Sequence, residues 1–299
     1  MSESRLAATE GASERYRGLD TWAPPAILAA LWEAQVAAVA AVGPALPQIE
    51  AAVEAALARL RRGGRLVYAG AGTSGRIGVQ DGAELPPTFN WPEERRVLLM
   101  AGGPAAFTRA VENAEDDAQA GIDAIGAHGV GVDDVVIGIA ASGSTPFTQA
   151  CLVAARGRGA LTVAVANSAH GTILVAAECP ILVETGGEVI AGSTRLKAGT
   201  AQKVVLNLFS SLLMVRLGHV HDGLMVDMVA RNEKLRQRAV RMLRSISGAS
   251  ADAAREALVV SDGRVKTAVL VLRGLTAVAA EESLGRHGGS LRAALAAEG

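Results

Sequence analysis

Aromatic side chains are scarce in this chain, and their scarcity argues against one large class of partner. Only 3% of the 299 residues are Phe, Trp or Tyr, whereas proteins that grip single-stranded nucleic acids stack the bases on such rings. The formal net charge is −1 and no long basic run is present, so the chain lacks the positive charge that would attract a polyanionic partner. We therefore expect no binding to nucleic acid.

Long apolar runs are lacking as well. One long uncharged stretch lies between Glu33 and Glu50, and Gly43, Pro44 and Pro47 interrupt it. A helix that spans a bilayer needs about 20 apolar residues in succession, so we expect a soluble protein with no membrane partner. The N-terminal sequence MSESRLAATEG is polar and lacks the apolar core of a signal peptide. Together these features predict a cytoplasmic location.

Cysteine is rare, and its two copies are Cys151 and Cys179. Their spacing fits no metal-binding pattern, so we expect both to be small apolar residues in a reducing compartment, with a disulfide as the less favoured alternative. The pair His219-Val-His221 has no carboxylate or cysteine beside it in a metal-binding pattern. We expect neither a metal nor another cofactor.

Small and medium apolar residues are what the chain has in abundance. Half of its residues are hydrophobic, which supplies a substantial core for one large domain or for an ordinary domain with a smaller one. Residues 1–25 predict an irregular arm, and the Ala- and Leu-rich stretch 27–62 predicts two helices that Gly43-Pro44 separates.

An alternation of strands and helices follows. Its strands are predicted at Leu66–Ala69, Val97–Met100, Val135–Ala140, Leu161–Val165 and Ile181–Val183. The segments between them, predicted to be helices or loops, are 74–81, 104–119, 146–157 and 170–177. Strands that are apolar throughout are typical of a parallel sheet covered on both faces. We predict an α/β fold, a three-layer αβα doubly wound parallel sheet that binds ligands beyond the carboxyl ends of its strands.

The remainder of the chain predicts helices. A long helix follows Lys197 to about Leu217, another covers Leu224–Ser245, and 250–299 contains helical segments without a convincing strand. We predict four parts for the whole chain. They are an N-terminal arm with helices packing on the core at 1–55, the α/β domain at 56–219, a connecting helix at 220–245 and a small helical C-terminal domain at 246–299.

A glycine-rich loop, Gly70-Ala-Gly-Thr-Ser-Gly75, follows the first predicted strand. It matches the G-x-G-x-x-G pattern of dinucleotide sites, but such sites also need an acidic residue at the end of the second strand. That strand ends in Leu99-Met-Ala-Gly-Gly103 and has none. The loop therefore favours a phosphate ester, bound by Gly72, Thr73 and Ser74 at a helix N-terminus, over a dinucleotide or a turn without a ligand.

Two further segments place hydroxyl groups at predicted helix starts. Ser142, Ser144 and Thr145 follow the third strand, and they predict the second half of one anion pocket if the strands are neighbours. Ser193, Thr194 and Lys197 open the long helix, where hydroxyls and a cation suit an anion. An ordinary helix start, with caps and solvated charge, is the alternative for both segments.

Two carboxylates are candidates for acid–base chemistry. Glu84 comes after the first loop and just before a Pro-Pro pair. Glu115 belongs to the predicted helix 104–119, where it lies at the edge of an apolar stripe while Glu112 and Asp116 face away. We expect Glu115 to be partly buried, which suits proton transfer near neutral pH. A solvated acidic helix face is the plainer alternative.

The paired loops, G-x-G-T-S and A-S-G-x-T-P, resemble the sugar isomerase (SIS) domain over residues 56–219. Nearly the whole chain is similar to the N-acetylmuramic acid 6-phosphate etherases. The motifs that carry this likeness are GAGTSGR-x-G-x-x-D-x-x-E-x-PPT, E-x-AEDD, A-S-G-x-TP and GSTRLKAGTAQK. The resemblance departs at Ser144, where the family commonly has arginine, and this leaves the fine substrate preference open.

The resemblance implies a function. The family cleaves the lactyl ether of N-acetylmuramic acid 6-phosphate, and its two acid–base glutamates correspond to Glu84 and Glu115. It also implies a cytoplasmic homodimeric lyase of cell-wall sugar recycling, with a small phosphosugar as its partner. The alternatives are a phosphosugar-sensing regulator of the glucokinase-regulator kind and an aldose–ketose isomerase, neither of which needs both acids.

Overall fold

The structure is a computed structural model that describes residues 11–230 and 232–298. The first ten residues of the predicted arm, and Arg231 of the predicted helix 224–245, lie outside the described residues. The chain forms two compact units. One contains the residues up to Ala83 together with Glu94–Ser210, and the other contains Glu84–Glu93 together with the chain from Ser211 onward. The four-part division made from the sequence stays a prediction.

The first unit begins with two short 3-10 turns, Glu14–Tyr16 and Leu19–Thr21, and two α-helices. Helix α1 covers Pro24–Ala40 and α2 covers Leu46–Arg61, and a 3-10 turn at Gly43–Ala45 separates them, which confirms the predicted break. One face of α2 is buried, including Ile49, Val53 and Leu60.

Five strands form the parallel sheet that the sequence predicts. They are β1 (Leu66–Gly70), β2 (Arg96–Met100), β3 (Val135–Ala140), β4 (Leu161–Ala166) and β5 (Cys179–Leu182). Their order in the sheet is β2-β1-β3-β4-β5, and every pairing is parallel. The chain moves outward from β1 to β2 and then returns to the other side of β1 at β3. The crevice between the ends of β1 and β3 is therefore the switch point at which such folds bind ligands.

Helices cover both faces of the sheet and confirm the three-layer architecture. On one face the strand residues Val67 and Val136 share an apolar cluster with Leu152 of α5 (Pro146–Gly157). On the other face Tyr68 packs against Gly82 of α3 (Gly72–Phe89). The connections from β3 to β5 are α5 and the short helix α6 (Thr172–Ala176). Both cysteines are free, with Cys151 buried in α5 and Cys179 at the start of β5.

The predicted helix over 104–119 is wrong. The chain there makes two 3-10 turns, Pro104–Phe107 and Ala114–Asp116, and the helix α4 covers Ala118–Ala127 only. Asn113 has a left-handed backbone with φ of 58°, which ends any helix that reaches it. Asp117 then caps α4 by accepting a 2.9 Å hydrogen bond from the amide of Ala120.

Helix α7 (Lys197–Arg216) follows the sheet, as the sequence predicts. The helix predicted over Leu224–Ser245 is wrong at its start, since β6 (Val220–His221) and β7 (Leu224–Met225) form a small antiparallel hairpin. Asp222 and Gly223 form its tight turn with left-handed backbones, and the residues that follow pair as β7 instead of beginning a helix. The helix itself, α8, covers Glu233–Ser247.

The second unit has its own apolar cluster, which includes Val226, Leu243, Leu258 and Val269. Its remaining helices are α9 (Ala251–Val260), α10 (Val265–Val271), α11 (Ala277–Arg286) and α12 (Leu291–Ala297). Among the described residues from 251 to 298 there is no strand, in agreement with the sequence analysis.

Two helical stretches in the described part of the chain, Pro24–Arg61 and Lys197–Arg216, are long and apolar enough to cross a membrane by length and composition alone. This is weak evidence for a membrane span. The first stretch contains the break at Gly43–Ala45, and 56% of the second is buried inside the protein, as is common for a core helix.

Candidate functional site

The first glycine-rich loop lies directly beyond β1. Helix α3 begins at Gly72, two residues after the strand ends, and Gly72 has a left-handed φ of 52°. Gly75 makes the close approach between helix and strand, since a Cβ at this position would lie 2.7 Å from the carbonyl oxygen of Gly70. The loop thus brings the start of a helix to the edge of the sheet, where backbone amides attract anions.

The second loop lies beyond β3, the neighbour of β1. Gly143 has a φ of 73°, and a Cβ there would lie 2.6 Å from the Cα of Gly171. The amide of Ser144 donates a 3.2 Å hydrogen bond to Oγ of Ser142, which folds the loop over itself. Thr145 occupies the N-cap position of α5 with Pro146 behind it, but its side chain makes no capping hydrogen bond. The Thr145 hydroxyl is therefore not used to cap the helix.

These loops enclose a cavity of about 470 Å³, a size suited to a small molecule. It lies within the first unit, beyond the carboxyl ends of β1 and β3. Its lining is formed by Ala71, Gly72, Thr73, Ser74, Glu115, Asp116, Ala141, Ser142, Ser144, Thr145, Pro146, Gly192 and Thr194. Eight of the residues predicted from the sequence are in this set, whereas Glu84, Ser193 and Lys197 are not. The set contains two carboxylates and no Lys or Arg.

The segment before α7 is held by a buried carboxylate that the sequence analysis missed. Glu188 is completely buried and accepts hydrogen bonds from the backbone amides of Lys197 at 2.9 Å and Ala198 at 3.0 Å. Lys197 donates from Nζ to the carbonyl of Gly187 at 3.0 Å, and the amide of Ser193 donates to the carbonyl of Ile190. These bonds fix the turn that carries Thr194. The only sequence clue was a lone acid before an apolar stretch.

Glu115 lines the cavity, but the local structure around it differs from the prediction. It belongs to the 3-10 turn Ala114–Asp116 and is exposed, so the expected partial burial at the edge of a helix is wrong. The reason is the left-handed Asn113, which replaces the predicted helix with a turn. The turn also brings Asp116 to the cavity, a residue that a continuous helix would have directed away.

Glu84 lies in α3 and is exposed, and it belongs to the second unit. Three residues earlier, in the first unit, Asp81 is buried and accepts hydrogen bonds from Oη of Tyr68 at 2.9 Å and from Nδ2 of Asn207 at 2.8 Å. Burial raises the pKa of Asp81, and these hydrogen bonds offset only part of the effect. In the sequence Asp81 appears only as the aspartate of the GAGTSGR-x-G-x-x-D motif, and that pattern does not show whether its side chain is buried.

The second unit contains a separate cavity of about 900 Å³, lined mainly by α8 and α9, which holds none of the predicted site residues. In the same unit Nδ1 of His219 lies 2.5 Å from Oδ2 of Asp227, and its ring makes an edge contact with Trp91. His221 is buried. Within residues 11–230 and 232–298, no three His, Cys, Asp or Glu side chains form a group that would hold a metal ion.

Comparison with known proteins gives relatives along the whole chain. An N-acetylmuramic acid 6-phosphate etherase of Deinococcus radiodurans is 52% identical over 288 residues, which are 96% of this chain and 94% of the relative. An N-acetylmuramic acid 6-phosphate etherase of Mycolicibacterium smegmatis is 46% identical, covering 97% of each chain. Residues 48–156 match the glucokinase regulatory protein N-terminal SIS domain.

Among solved structures, the protein c3406 of E. coli CFT073 has the same fold. The TM-score is 0.50 and the sequence identity is 18%, and the likeness covers 69% of this chain and 96% of the other. At this identity the comparison bears on the fold alone, and it agrees with the parallel sheet and flanking helices described above.

Proposed function

The chain belongs to the N-acetylmuramic acid 6-phosphate etherase family, and from this premise we propose that it cleaves the D-lactyl ether of N-acetylmuramic acid 6-phosphate. The products are N-acetylglucosamine 6-phosphate and D-lactate. The observation that carries the proposal is the cavity at the switch point, where hydroxyl-rich loops from two neighbouring strands face a carboxylate, Glu115.

The cavity lining supports the binding of a phosphate ester. Thr73 and Ser74 stand in the first turn of α3, and Ser142, Ser144 and Thr145 precede α5, so hydroxyls and helix N-termini converge from two sides. In this proposal these residues, with Gly72 and Thr194, bind the phosphate. Ser193 and Lys197 contribute through the turn that presents Thr194.

The reaction is an elimination followed by an addition. In the open-chain sugar the C1 aldehyde acidifies the C2 proton, and Glu115 as base removes it while Glu84 as acid protonates the departing lactate oxygen at C3. The C2–H and C3–O bonds break and a C2=C3 double bond forms. Water then adds at C3 and gives up a proton to Glu84, and C2 regains a proton from Glu115. Two carboxyl groups of opposite protonation suffice for this sequence, without a cofactor.

Binding energy from the phosphate supports that chemistry. The loops grip a part of the substrate that does not react, and this energy is available to hold C2 and C3 in line with the carboxyl groups. The assignment of Glu115 as base and Glu84 as acid rests on the family resemblance, whereas the need for two carboxyl groups follows from the chemistry.

The regulatory alternative is not favoured. The match to the glucokinase regulatory protein domain covers residues 48–156, while the relatives that extend over nearly the full chain are named etherases. A sensor also has no use for a carboxylate in its phosphosugar cavity. An aldose–ketose isomerase needs a base but no second acid at the oxygen on C3.

We further propose that the enzyme is a cytoplasmic carbon–oxygen lyase of peptidoglycan recycling that acts as a homodimer. An apolar stripe on α1 supports the dimer, since Leu28 and Trp32, four residues apart, are 67% and 68% exposed and Val36 continues the same face. Sedimentation analysis of wild type and Trp32→Glu tests this. The wild type should sediment as a dimer and the variant as a monomer, whereas a monomeric wild type refutes the proposal.

The activity is tested by incubating the protein with N-acetylmuramic acid 6-phosphate and measuring D-lactate. We expect release by the wild type and a loss of about 10²–10⁴-fold in Glu84→Gln and Glu115→Gln, the usual effect of removing a general acid or base. In heavy water, the recovered N-acetylglucosamine 6-phosphate should carry deuterium at C2. No lactate from the wild type, or full activity in either variant, contradicts the assignment.

A further inference from the structure

The segment that carries Glu115 has little regular structure of its own. Between the end of β2 and the start of α4, residues 101–117 make two short 3-10 turns and no α-helix or strand. Gly102, Gly103 and Asn113 have left-handed backbones, and the stretch from 107 to 113 is exposed. A carboxylate that transfers a proton must nevertheless be held to within a fraction of an ångström. The position of Glu115 therefore depends on contacts from outside the segment.

Arg76 supplies two of these contacts. This half-buried side chain in α3 donates from Nε to the carbonyl of Ala106 at 3.0 Å and from Nη2 to the carbonyl of Arg109 at 3.2 Å. Both acceptors belong to the 101–117 segment. A guanidinium group presents its donors in a rigid planar fork, so two bonds to neighbouring carbonyls fix both the place and the orientation of the backbone.

Arg76 lies in α3, the helix that begins at the phosphate loop. Arg76 follows the phosphate-loop residue Ser74 by two positions, and both Ser74 and Glu115 line the cavity, whereas Arg76 does not. The first turns of α3 thus connect the loop that grips the phosphate to the segment that presents the base. The two carbonyls that Arg76 contacts lie nine and six residues before Glu115 in the same segment.

We propose that Arg76 is a positioning residue, which holds the 101–117 segment so that Glu115 is aligned with a substrate bound by the phosphate loop. The proposal rests on the proposed function for its effect on catalysis. Its structural part, the tethering of the segment, stands independently of which reaction the site performs.

The test uses Arg76→Met, which keeps the apolar stem and removes the fork, with Arg156→Met as the matched control. Arg156 likewise donates from its guanidinium to a backbone carbonyl, that of Ala176 at 3.2 Å, away from the cavity. We expect kcat for lactate release to fall about 100-fold in Arg76→Met with KM within about threefold of wild type, the signature of a misplaced catalytic group. Arg76→Lys, which can still donate to one carbonyl, should recover part of the loss. The control should stay within about twofold of wild type.

Two measurements without turnover complete the experiment. Hydrogen exchange of the amides from 101 to 117 should accelerate in Arg76→Met and not in the control, while the dissociation constant for inorganic phosphate stays unchanged. Wild-type kcat or wild-type exchange in Arg76→Met overturns the proposal, and so does weakened phosphate binding with unaltered exchange. If Arg76→Met does not fold, Arg76→Gln and Arg76→Lys undergo the same measurements. An inactive wild type refutes the proposed function, and the exchange data still decide whether Arg76 tethers the segment.

Discussion

Asn207 donates a 2.8 Å hydrogen bond from Nδ2 to Oδ1 of Asp81, and a buried carboxylate thereby joins α7 to α3. Tyr68 adds a bond from β1 at 2.9 Å and Ser210 adds one from α7 at 3.1 Å. A strand and two helices thus meet at one side chain. Because α3 begins at the phosphate loop, this network fixes the helix on which that loop depends.

Replacing Asp81 by asparagine should destabilise the protein by about 1–3 kcal/mol, since the amide nitrogen would face hydrogen-bond donors and leave at least one of them unsatisfied. Urea unfolding followed by circular dichroism measures the change. Asp20→Asn, at an exposed aspartate, is the control and should stay within about 0.5 kcal/mol of wild type. Equal stability of the two variants would show that the network contributes nothing.

The carboxyl group of Asp81 should also make the stability of the protein depend on pH, in a direction that its pKa shift determines. Burial raises the pKa of Asp81, so the folded protein binds its proton more tightly than the unfolded chain does. Its contribution to stability is fully present below the unfolded pKa, about 3.9, and is lost as the pH rises through the raised folded value. The stability of wild type relative to Asp81→Asn should therefore decrease from about pH 4 towards neutrality. Urea unfolding of both proteins across this range tests the sign, and an increasing difference contradicts it.

Gly75→Ala should disrupt the first loop. The added Cβ would lie 2.4 Å from Sδ of Met100 and 2.7 Å from the carbonyl oxygen of Gly70, and the backbone contact cannot be relieved by a side-chain rotation. We expect a loss of about 1–3 kcal/mol in stability, the usual cost of overpacking, and weaker phosphate binding. Gly157→Ala is the matched control, since a Cβ there meets no atom within 4 Å. Thermal unfolding distinguishes them, and equal midpoints would contradict the predicted clash.

Ser144→Arg should strengthen the binding of anions. Ser144 lines a cavity whose lining includes Glu115 and Asp116 but no Lys or Arg, so a guanidinium there would provide the cation that this lining lacks. We expect the dissociation constant for N-acetylglucosamine 6-phosphate to fall about tenfold, as for one added charge-assisted hydrogen bond. Isothermal titration calorimetry measures it. Ser144→Gln, of comparable reach without charge, should bind much as the wild type does.

The sequence located the strands closely because each is a short and mostly apolar run. It also predicted α5 to the residue, since Thr145-Pro146 is a strong helix start. One error arises at Asn113, whose left-handed backbone interrupts the 104–119 stretch, and the other at Leu224 and Met225, which pair as a strand after the hairpin turn at Asp222. The apolar residues around Glu115 do recur at helical spacing, but such spacing does not reveal that one backbone angle, φ of Asn113, is positive.

The chain alone determined its layers, the two hydroxyl-rich loops and its family, because these depend on local composition and on contiguous motifs. The tertiary structure decided which of these loops meet. The strand order placed the ends of β1 and β3 side by side, and a turn in place of a helix brought Glu115 and Asp116 to their cavity. The roles of Asp81 and Arg76 arise from hydrogen bonds between segments distant in sequence, and Glu188 closes a turn nine residues long; no periodic pattern encodes such bonds.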